Sequence, residues 1–287
     1  MPESINILLP FGYEEPTEAD VRKGKNYVLR RESAARGLSS LIDALLKDAA
    51  EKIITLCYQF NIDPKKFKLT EKYNPRLFEL VSNILDELED EILDLVLDYS
   101  TRCTESEKRR SVLMPWILLL GRNNRNLQQT LDTRIWIFSR DMEAAVVAMM
   151  MGGHTLQKAI TRVKSNIHAL YNMPEMKEAF KQSMDVMATY IKTKGIKHGN
   201  IGNSNSEANN ILRFGKTTVQ MSWMRNLHMN YEDNGAEGYM VFRGSSYDCP
   251  LCDSYCNIFH PIEDTKSMPP YHPSCCCWTI PIFKTQT

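Results

Sequence analysis

The chain has 287 residues, of which 43% are hydrophobic and 24% charged, enough for one large or two modest domains with a buried core. Its 35 basic residues equal its 35 acidic residues, which excludes a global electrostatic field as the means of binding nucleic acid or an anionic membrane. The N-terminal sequence lacks the features of a signal peptide, and no segment approaches the roughly 18 apolar residues of a membrane span. We therefore expect a soluble protein without a membrane partner, made in a cytosol where thiols stay reduced.

Helical periodicity covers the first half of the chain. Apolar residues three and four positions apart predict a helix from Glu32 to Phe60 and a second from Pro75, a favourable first-turn residue, to about Thr101. Two more helices are predicted over residues 111–120 and 127–151. The predicted buried face of the first helix comprises Leu38, Leu41, Leu45, Ala49, Ile53, Leu56 and Phe60.

Helices continue beyond the glycine pair that follows residue 151. Thr155 is the predicted N-cap of a helix whose apolar positions run to Leu170, and residues 173–191 predict another helix. Residues 193–209 are rich in Gly, Asn and Ser and indicate a boundary or a loop. A last long helix is predicted from Asn210 to about Asn234.

Two short segments near the C-terminus have strand character. In residues 238–244, GYMVFRG, the positions of Tyr239, Val241 and Arg243 alternate with those of Met240 and Phe242, as in a strand. Residues 279–283, TIPIF, contain a proline that restricts this strand to a sheet edge. The predicted fold class is mainly α, with long helices and a small C-terminal α/β module. The predicted division is an N-terminal helical region 1–122, a central helical region 123–205 and the C-terminal module 206–287.

Six of the eight cysteines lie between residues 248 and 278. Cys249 and Cys252 form C-x-x-C, while His272 and Cys275 form H-x-x-C; two intervening residues let one tight turn direct both ligands at one point. Two such turns complete a tetrahedron around zinc. Three thiolates and a neutral imidazole make a closed structural site, without a position for water or substrate. Cys277 is an alternative to Cys275 as the fourth ligand.

The remaining donors of this segment fit the pattern less well. Cys256 and Cys276 are expected to be small buried bystanders, and His260 to cap a turn or stack on Tyr271. The alternative for the whole cluster is a set of free thiols or disulfides. A reducing cytosol disfavours disulfides, and free thiols explain neither the paired spacing nor the histidine.

The cysteine segment resembles the C-terminal signature of the phage head morphogenesis family, the Mu F-like minor head proteins. That signature reads C-x-x-C, then PP-x-HP-x-C-x-C. The matching positions here are Cys249, Cys252, Pro269, Pro270, His272, Pro273, Cys275 and Cys277. The resemblance is specific over residues 238–283, weaker from about residue 125, and does not extend to residues 1–120.

The sequence also departs from the family pattern. Cys276 stands where the family usually has a basic residue, Trp278 where it has a polar one, and the acidic residue before the first cysteine is the adjacent Asp248. The resemblance implies a structural, non-enzymatic minor capsid protein of a tailed phage or prophage. It implies work near the portal, with portal and other head proteins as partners, in head assembly, DNA packaging or DNA delivery. The implied location is the virion, with the host cytoplasm during assembly.

Two alternative functions remain open. A zinc-dependent nuclease or toxin domain would use His260 or His272 on DNA, although the chain lacks the H-x-E of zinc deaminases, H-E-x-x-H and a phosphate loop. A zinc-stapled DNA-binding module would contact packaged DNA through a local basic excess. That excess comprises Lys192, Lys194, Lys197, Arg213, Lys216 and Arg225, against the single acid Glu207.

Overall fold

The protein, seen in a computed structural model, is described over residues 9–121, 124–188, 206–245 and 248–285. These residues are mainly helical and carry a small three-stranded antiparallel sheet near the C-terminus, which confirms the predicted fold class. The helices are α1 (Glu18–Gln59), α2 (Pro75–Thr101), α3 (Glu107–Leu118), α4 (Leu127–Met151), α5 (Leu156–Ser165), α6 (Pro174–Gln182), α7 (Glu207–Asp233) and the short α8 (Pro250–Asp253). The strands are β1 (Gly238–Phe242), β2 (Phe259–Pro261) and β3 (Trp278–Ile282).

Helix α1 begins at Glu18, well before the predicted start at Glu32. The backbone N–H of Asp20 donates to the hydroxyl of Thr17 at 3.3 Å, and the N–H of Thr17 donates to the Asp20 carboxylate at 3.1 Å. This reciprocal pair is the bonding of a capping box, which satisfies backbone donors that a helix start leaves unpaired. The T-x-x-D pattern was therefore a start signal that apolar periodicity alone did not reveal.

The buried face of α1 is rotated from the predicted one. Leu38, Ile42 and Leu46 are fully buried, whereas Leu41, which was predicted to be buried, is 42% exposed. Both sets recur at spacings of three and four, so periodicity permits either face. The prediction for Leu41 was wrong because packing against other elements selects the face.

The predicted cap at Thr155 is confirmed only in position. Thr155 is the N-cap residue of α5 in an extended conformation, but its side chain accepts no capping hydrogen bond. The helix predicted over residues 173–191 is interrupted, since α6 ends at Gln182 and Ser183 is extended. Residues 189–191 and most of the predicted loop lie outside the described residues.

The described chain divides into two compact units. The first is drawn from residues 1–38, 96–117 and 215–287, and the second from residues 39–95 and 118–214. The boundary predicted at 122/123 falls on residues outside the described part of the chain, and the one predicted at 205/206 falls where the description resumes. The three-region division stays a prediction.

The second unit contains a buried polar junction that fixes the start of α7. The carboxylate of Asp141 is fully buried, accepts the Tyr171 hydroxyl at 2.6 Å and accepts the backbone N–H of Glu207 at 2.6 Å. Glu207 in turn pairs with Arg134 at 2.6 Å, and burial raises the pKa of the Glu207 carboxyl. A buried acid at a helix start satisfies a free N–H group and complements the helix dipole.

The sheet belongs to the first unit and has the strand order β2-β1-β3. Strand β1 is central, and β3 is an edge strand in which Pro281 lies opposite Tyr239, as the sequence predicted. Strand β2 was not predicted, because three residues are too few for a pattern. Pro261 opposite Gly238 ends it.

The two faces of β1 contribute to two different apolar clusters. Tyr239 and Val241 pack with the cysteines, whereas Met240 and Phe242 pack with β3 and with Val28 of α1. This alternation follows from the two-residue period of a strand. The sheet therefore separates the cysteine side chains from the apolar cluster that contains Val28 of α1.

Gly24 permits the close approach of α1 to β3. A Cβ atom at this position would lie 2.7 Å from the backbone oxygen of Thr279 and 2.8 Å from the Trp278 ring. A backbone oxygen cannot move aside as the end of a side chain can. Glycine is thus required here by packing and not by its backbone angles.

Candidate metal centre

The cysteine cluster lies between β1 and β3 along the chain and packs against one face of β1. Cys249 directly precedes α8, Cys252 lies within it, and the segment from His272 to Cys277 runs directly into β3. Cys256 forms a bridge with Val241 of β1, and the N–H of Asn257 donates to the Val241 carbonyl at 2.8 Å. The sheet thereby fixes both chain segments that carry donors.

The first turn orients Cys249 at the start of α8. Pro250 occupies the first helical position, where its missing N–H costs nothing. The backbone N–H of Cys252, foremost, and that of Leu251 donate to the Cys249 sulfur and lower the pKa of its thiol. Amide donors of this kind stabilise a thiolate, which is the form that binds metal.

The second turn places His272 and Cys275 side by side. The N–H of Cys275 donates to the His272 carbonyl at 3.0 Å, and Ser274 has φ +68°. Proline in the second position and a positive φ in the third are typical of a type II turn. The peptide bond between Pro269 and Pro270, just before this turn, is cis.

The two turns converge on Cys252. Its sulfur lies 3.2 Å from Nε2 of His272 and 4.0 Å from the sulfur of Cys275. In a tetrahedral zinc site the corresponding ligand separations are about 3.6 Å and about 3.8 Å, from the usual metal–ligand bond lengths. The donors are thus already close to the spacing that a tetrahedral ion requires.

Two groups of three donors overlap at Cys252. The ligand atoms of Cys249, Cys252 and His272 lie within 4.8 Å of one another, and so do those of Cys252, Cys275 and Cys277. All five predicted ligands are therefore brought together. Because Cys275 and Cys277 belong to the same group, the choice between them as fourth ligand stays open.

The imidazole of His272 has the tautomer that binds metal. Its Nδ1 lies 3.0 Å from the carbonyl oxygen of Pro273, and a carbonyl can only accept, so Nδ1 carries the proton. Nε2 then presents its lone pair towards Cys252. A backbone carbonyl that orients a ligating histidine is a common feature of metal sites.

Burial and thiol crowding disfavour free thiolates at Cys252, Cys275 and Cys277. Burial raises the pKa of Cys252 to about 12, and the pKa of Cys277 is raised to about 12, foremost by its contact with the Cys256 thiol. The pKa of Cys275 is also raised, foremost by its hydrogen bond with Cys277. A divalent cation would supply the positive charge that lets these sulfurs lose their protons together.

The other donors of the segment lie outside these two groups. Cys276 is partly exposed and contacts the Ser274 carbonyl at 3.5 Å, so it is not the buried residue that was predicted. Cys256 is buried, as predicted, and contacts Cys277. His260 donates from Nε2 to the Tyr255 carbonyl at 2.9 Å.

The aromatic rings near the cluster are paired differently from the prediction. His260 stacks on Tyr239 with ring centroids 5.3 Å apart and not on Tyr271, which instead stacks on Tyr255 at 4.5 Å. The prediction of a His260–Tyr271 stack was wrong because β1 places Tyr239 directly opposite His260 in the sheet. Tyr239 and Tyr271 pack against the cysteines and give the candidate ligands an apolar surround.

Sequence reasoning missed Arg31, whose side chain is fully buried beneath the second turn. Its Nη2 donates to the Cys275 carbonyl at 2.7 Å and Nη1 to the Cys277 carbonyl at 3.4 Å. The carboxylate of Glu32 accepts from Arg31 at 3.2 Å and from Gln220 at 2.6 Å. Arg31 therefore links α1 to the backbone of the cluster.

A sequence signal for Arg31 was present. Arg31 stands four and seven residues before Ala35 and Leu38, both fully buried, and so shares their helical face. A charge in register with an apolar stripe is seldom buried without a partner. Its partner could not be identified from sequence, since it lies more than 240 residues along the chain.

The predicted basic excess is only partly described. Lys192, Lys194 and Lys197 lie outside the described residues. Lys216 lies on α7, 3.6 Å from the Glu32 carboxylate and 3.3 Å from the Ser274 hydroxyl, and is therefore engaged within the protein. Arg213 also lies on α7.

The chain matches no protein-family model, no curated protein and no solved structure. Among the residues that the structure describes, no helix combines the length and the apolar character needed to cross a membrane.

Proposed function

We propose that the protein is a structural minor capsid protein of a tailed phage or prophage, with a C-terminal module stapled by zinc. The ion is held by Cys249, Cys252 and His272, with Cys275 or Cys277 as the fourth ligand. The observation that supports this most directly is the convergence of two ligand turns on Cys252, within the segment that resembles the head morphogenesis signature.

Zinc suits this donor set better than other common ions. Thiolate and imidazole are soft to intermediate ligands, and a tetrahedral set of sulfur and nitrogen is typical of zinc. Four protein ligands leave no position for water or substrate, so the ion serves folding and not catalysis. The small sheet, with one strand of three residues, gains stability from such an ion.

The stapled module would present a rigid surface to neighbouring capsid proteins. In this proposal the partners are the portal and other head proteins, and the location is the virion, with assembly in the host cytoplasm. The structural role is head assembly, DNA packaging or DNA delivery. The family resemblance of residues 238–283 supports this assignment.

The metal is tested on protein purified under reducing conditions without added zinc. We expect stoichiometric zinc by elemental analysis and a lower melting temperature after chelation. Cys249→Ser should lower the zinc content, whereas Cys276→Ser, which changes a partly exposed neighbour outside both donor groups, should retain it. Wild-type protein without metal, and with its fold unchanged in chelator, would contradict the zinc site.

The capsid role is tested by location and by binding. We expect the gene to stand beside portal and terminase genes, and the purified chain to bind the portal protein encoded there. Absence of the chain from purified virions would contradict the role. A nuclease assay with added divalent metal tests the enzyme alternative, which requires cleavage that is lost in His260→Ala or His272→Ala while folding is retained.

A further inference from the structure

The cluster contains more donors than one tetrahedral ion can use. Five thiols and one imidazole gather here: those of Cys249, Cys252, Cys256, His272, Cys275 and Cys277. A single zinc ion takes four ligands. Mononuclear binding would leave two buried thiols, Cys256 and either Cys275 or Cys277, beside a metal without ligating it.

The arrangement of the donors divides them into two sets. One group of three contains Cys249 and His272, the other contains Cys275 and Cys277, and Cys252 belongs to both. The Cys256 thiol lies next to the second group, because Cys256 packs in the same buried cluster as Cys252, Cys275 and Cys277. The donors therefore extend beyond the reach of one ion, with Cys252 at their centre.

A count of coordination positions agrees with this division. Two tetrahedral ions offer eight positions, and six donors fill all eight when two thiolates bridge both ions. Cys252 and Cys275 suit the bridging role, because their sulfurs lie 4.0 Å apart, close to the roughly 3.8 Å edge of a zinc–sulfur tetrahedron. Two tetrahedra would then share the Cys252–Cys275 edge.

We propose that the cluster binds a second thiophilic divalent cation, zinc or cadmium, through Cys252, Cys256, Cys275 and Cys277. The first ion keeps Cys249, Cys252, His272 and Cys275, and the two sulfurs common to both sets bridge the ions. This inference rests on the proposed zinc site and adds to it Cys256, which is not part of the family signature.

The surroundings of the cluster suit the charge of such a centre. Loading two divalent ions displaces five thiol protons and leaves the imidazole neutral, so the centre carries one net negative charge. The buried guanidinium of Arg31 lies beside it and donates to the Cys275 carbonyl at 2.7 Å. Tyr231, Tyr239 and Val241 cover the cluster with apolar surface, which limits the access of water.

Cys256 is held in place by the sheet and does not depend on the metal for its position. It forms a bridge with Val241, and the next residue, Asn257, adopts φ +62° and donates its N–H to Val241. A left-handed residue at this point turns the chain immediately after the thiol. Cys256 is therefore held in the same buried cluster as Cys277 before any ion binds.

The test is the number of ions that each full-length chain binds. Native mass spectrometry and elemental analysis of reduced protein, saturated with zinc and freed of excess ion, should give two zinc ions per chain. Cys256→Ser should bind one and Cys276→Ser two, since Cys276 is the matched neighbour outside the cluster. ¹¹³Cd-substituted protein should show two resonances, of which Cys256→Ser loses one.

The possible outcomes separate the two proposals. One ion in the wild-type chain, or two in Cys256→Ser, would overturn the second site and leave the first zinc site standing. No bound ion in the wild-type chain would contradict both. Should Cys256→Ser fail to fold, the wild-type stoichiometry and the number of cadmium resonances still decide, because neither measurement needs a variant.

Discussion

Replacement of Arg31 by alanine should destabilise the protein and weaken its metal binding together. The substitution removes a fully buried guanidinium and leaves the carbonyls of Cys275 and Cys277 without this donor. Removing one partner of a buried ion pair typically costs about 3–5 kcal/mol. Glu32 keeps Gln220 at 2.6 Å and Lys216 at 3.6 Å, so we expect the lower end of this range, about 3 kcal/mol.

Two measurements test this expectation. Thermal unfolding followed by circular dichroism should show a melting temperature lower by about 6–12 °C, at the usual few degrees per kcal/mol for a chain of this size. Competition with a chromophoric chelator should show zinc affinity lower by about 10- to 100-fold, the usual cost of removing a group that orients ligands. Arg30→Ala is the matched control, because Arg30 is an exposed neighbour on the same helix.

If Arg31→Ala behaved like Arg30→Ala in both measurements, Arg31 would support neither the fold nor the metal-binding turn. A loss of stability with unchanged zinc affinity would show that Arg31 supports α1 alone and does not position the turn that carries Cys275.

Three further substitutions test other parts of the structure. Ser274→Val should lower the free energy of unfolding by about 1–2 kcal/mol, because φ +68° is strained for a β-branched residue. Ser274→Gly should change it by no more than about 0.5 kcal/mol, as measured by chemical denaturation. Equal effects of the two substitutions would contradict the left-handed turn. Gly24→Ala should lower the free energy of unfolding by about 1–3 kcal/mol, and the melting temperature with it, because the added Cβ contacts the Thr279 backbone oxygen. Helix propensity alone demands a rise, so a higher melting temperature would disprove the close packing. The pKa of Glu175 is lowered in the folded state, foremost by the guanidinium of Arg162. The stability that this ion pair contributes is therefore complete above the ordinary pKa of about 4.3 and is lost as the pH falls through the lowered pKa. Melting temperatures of wild type and Glu175→Gln should therefore differ at pH 7, and the difference should shrink as the pH falls through the lowered pKa of Glu175; a constant difference would exclude this ion pair as the cause.

Local patterns in the sequence account for much of the candidate site. The paired spacing of Cys249 with Cys252 and of His272 with Cys275 predicted two ligand turns, because a tight turn needs only the residues between its ends. The proline after His272 suits the second position of a type II turn and was a further local signal that the spacing argument did not use. The contact between Cys256 and Cys277 was not predicted, since it depends on how β1 and β3 bring distant segments together.

The sequence by itself determined the elements with a strong local signal: the long helices, the central strand, the edge strand with Pro281, and the five candidate donors that the structure brings together. Only the tertiary structure decided which face of α1 is buried, because Leu41 and Ile42 both satisfy helical spacing and differ only in what packs against them. It also decided the role of Arg31. Hydrogen bonds between residues more than 240 positions apart leave no periodic trace in either segment, so folding alone brings their partners together.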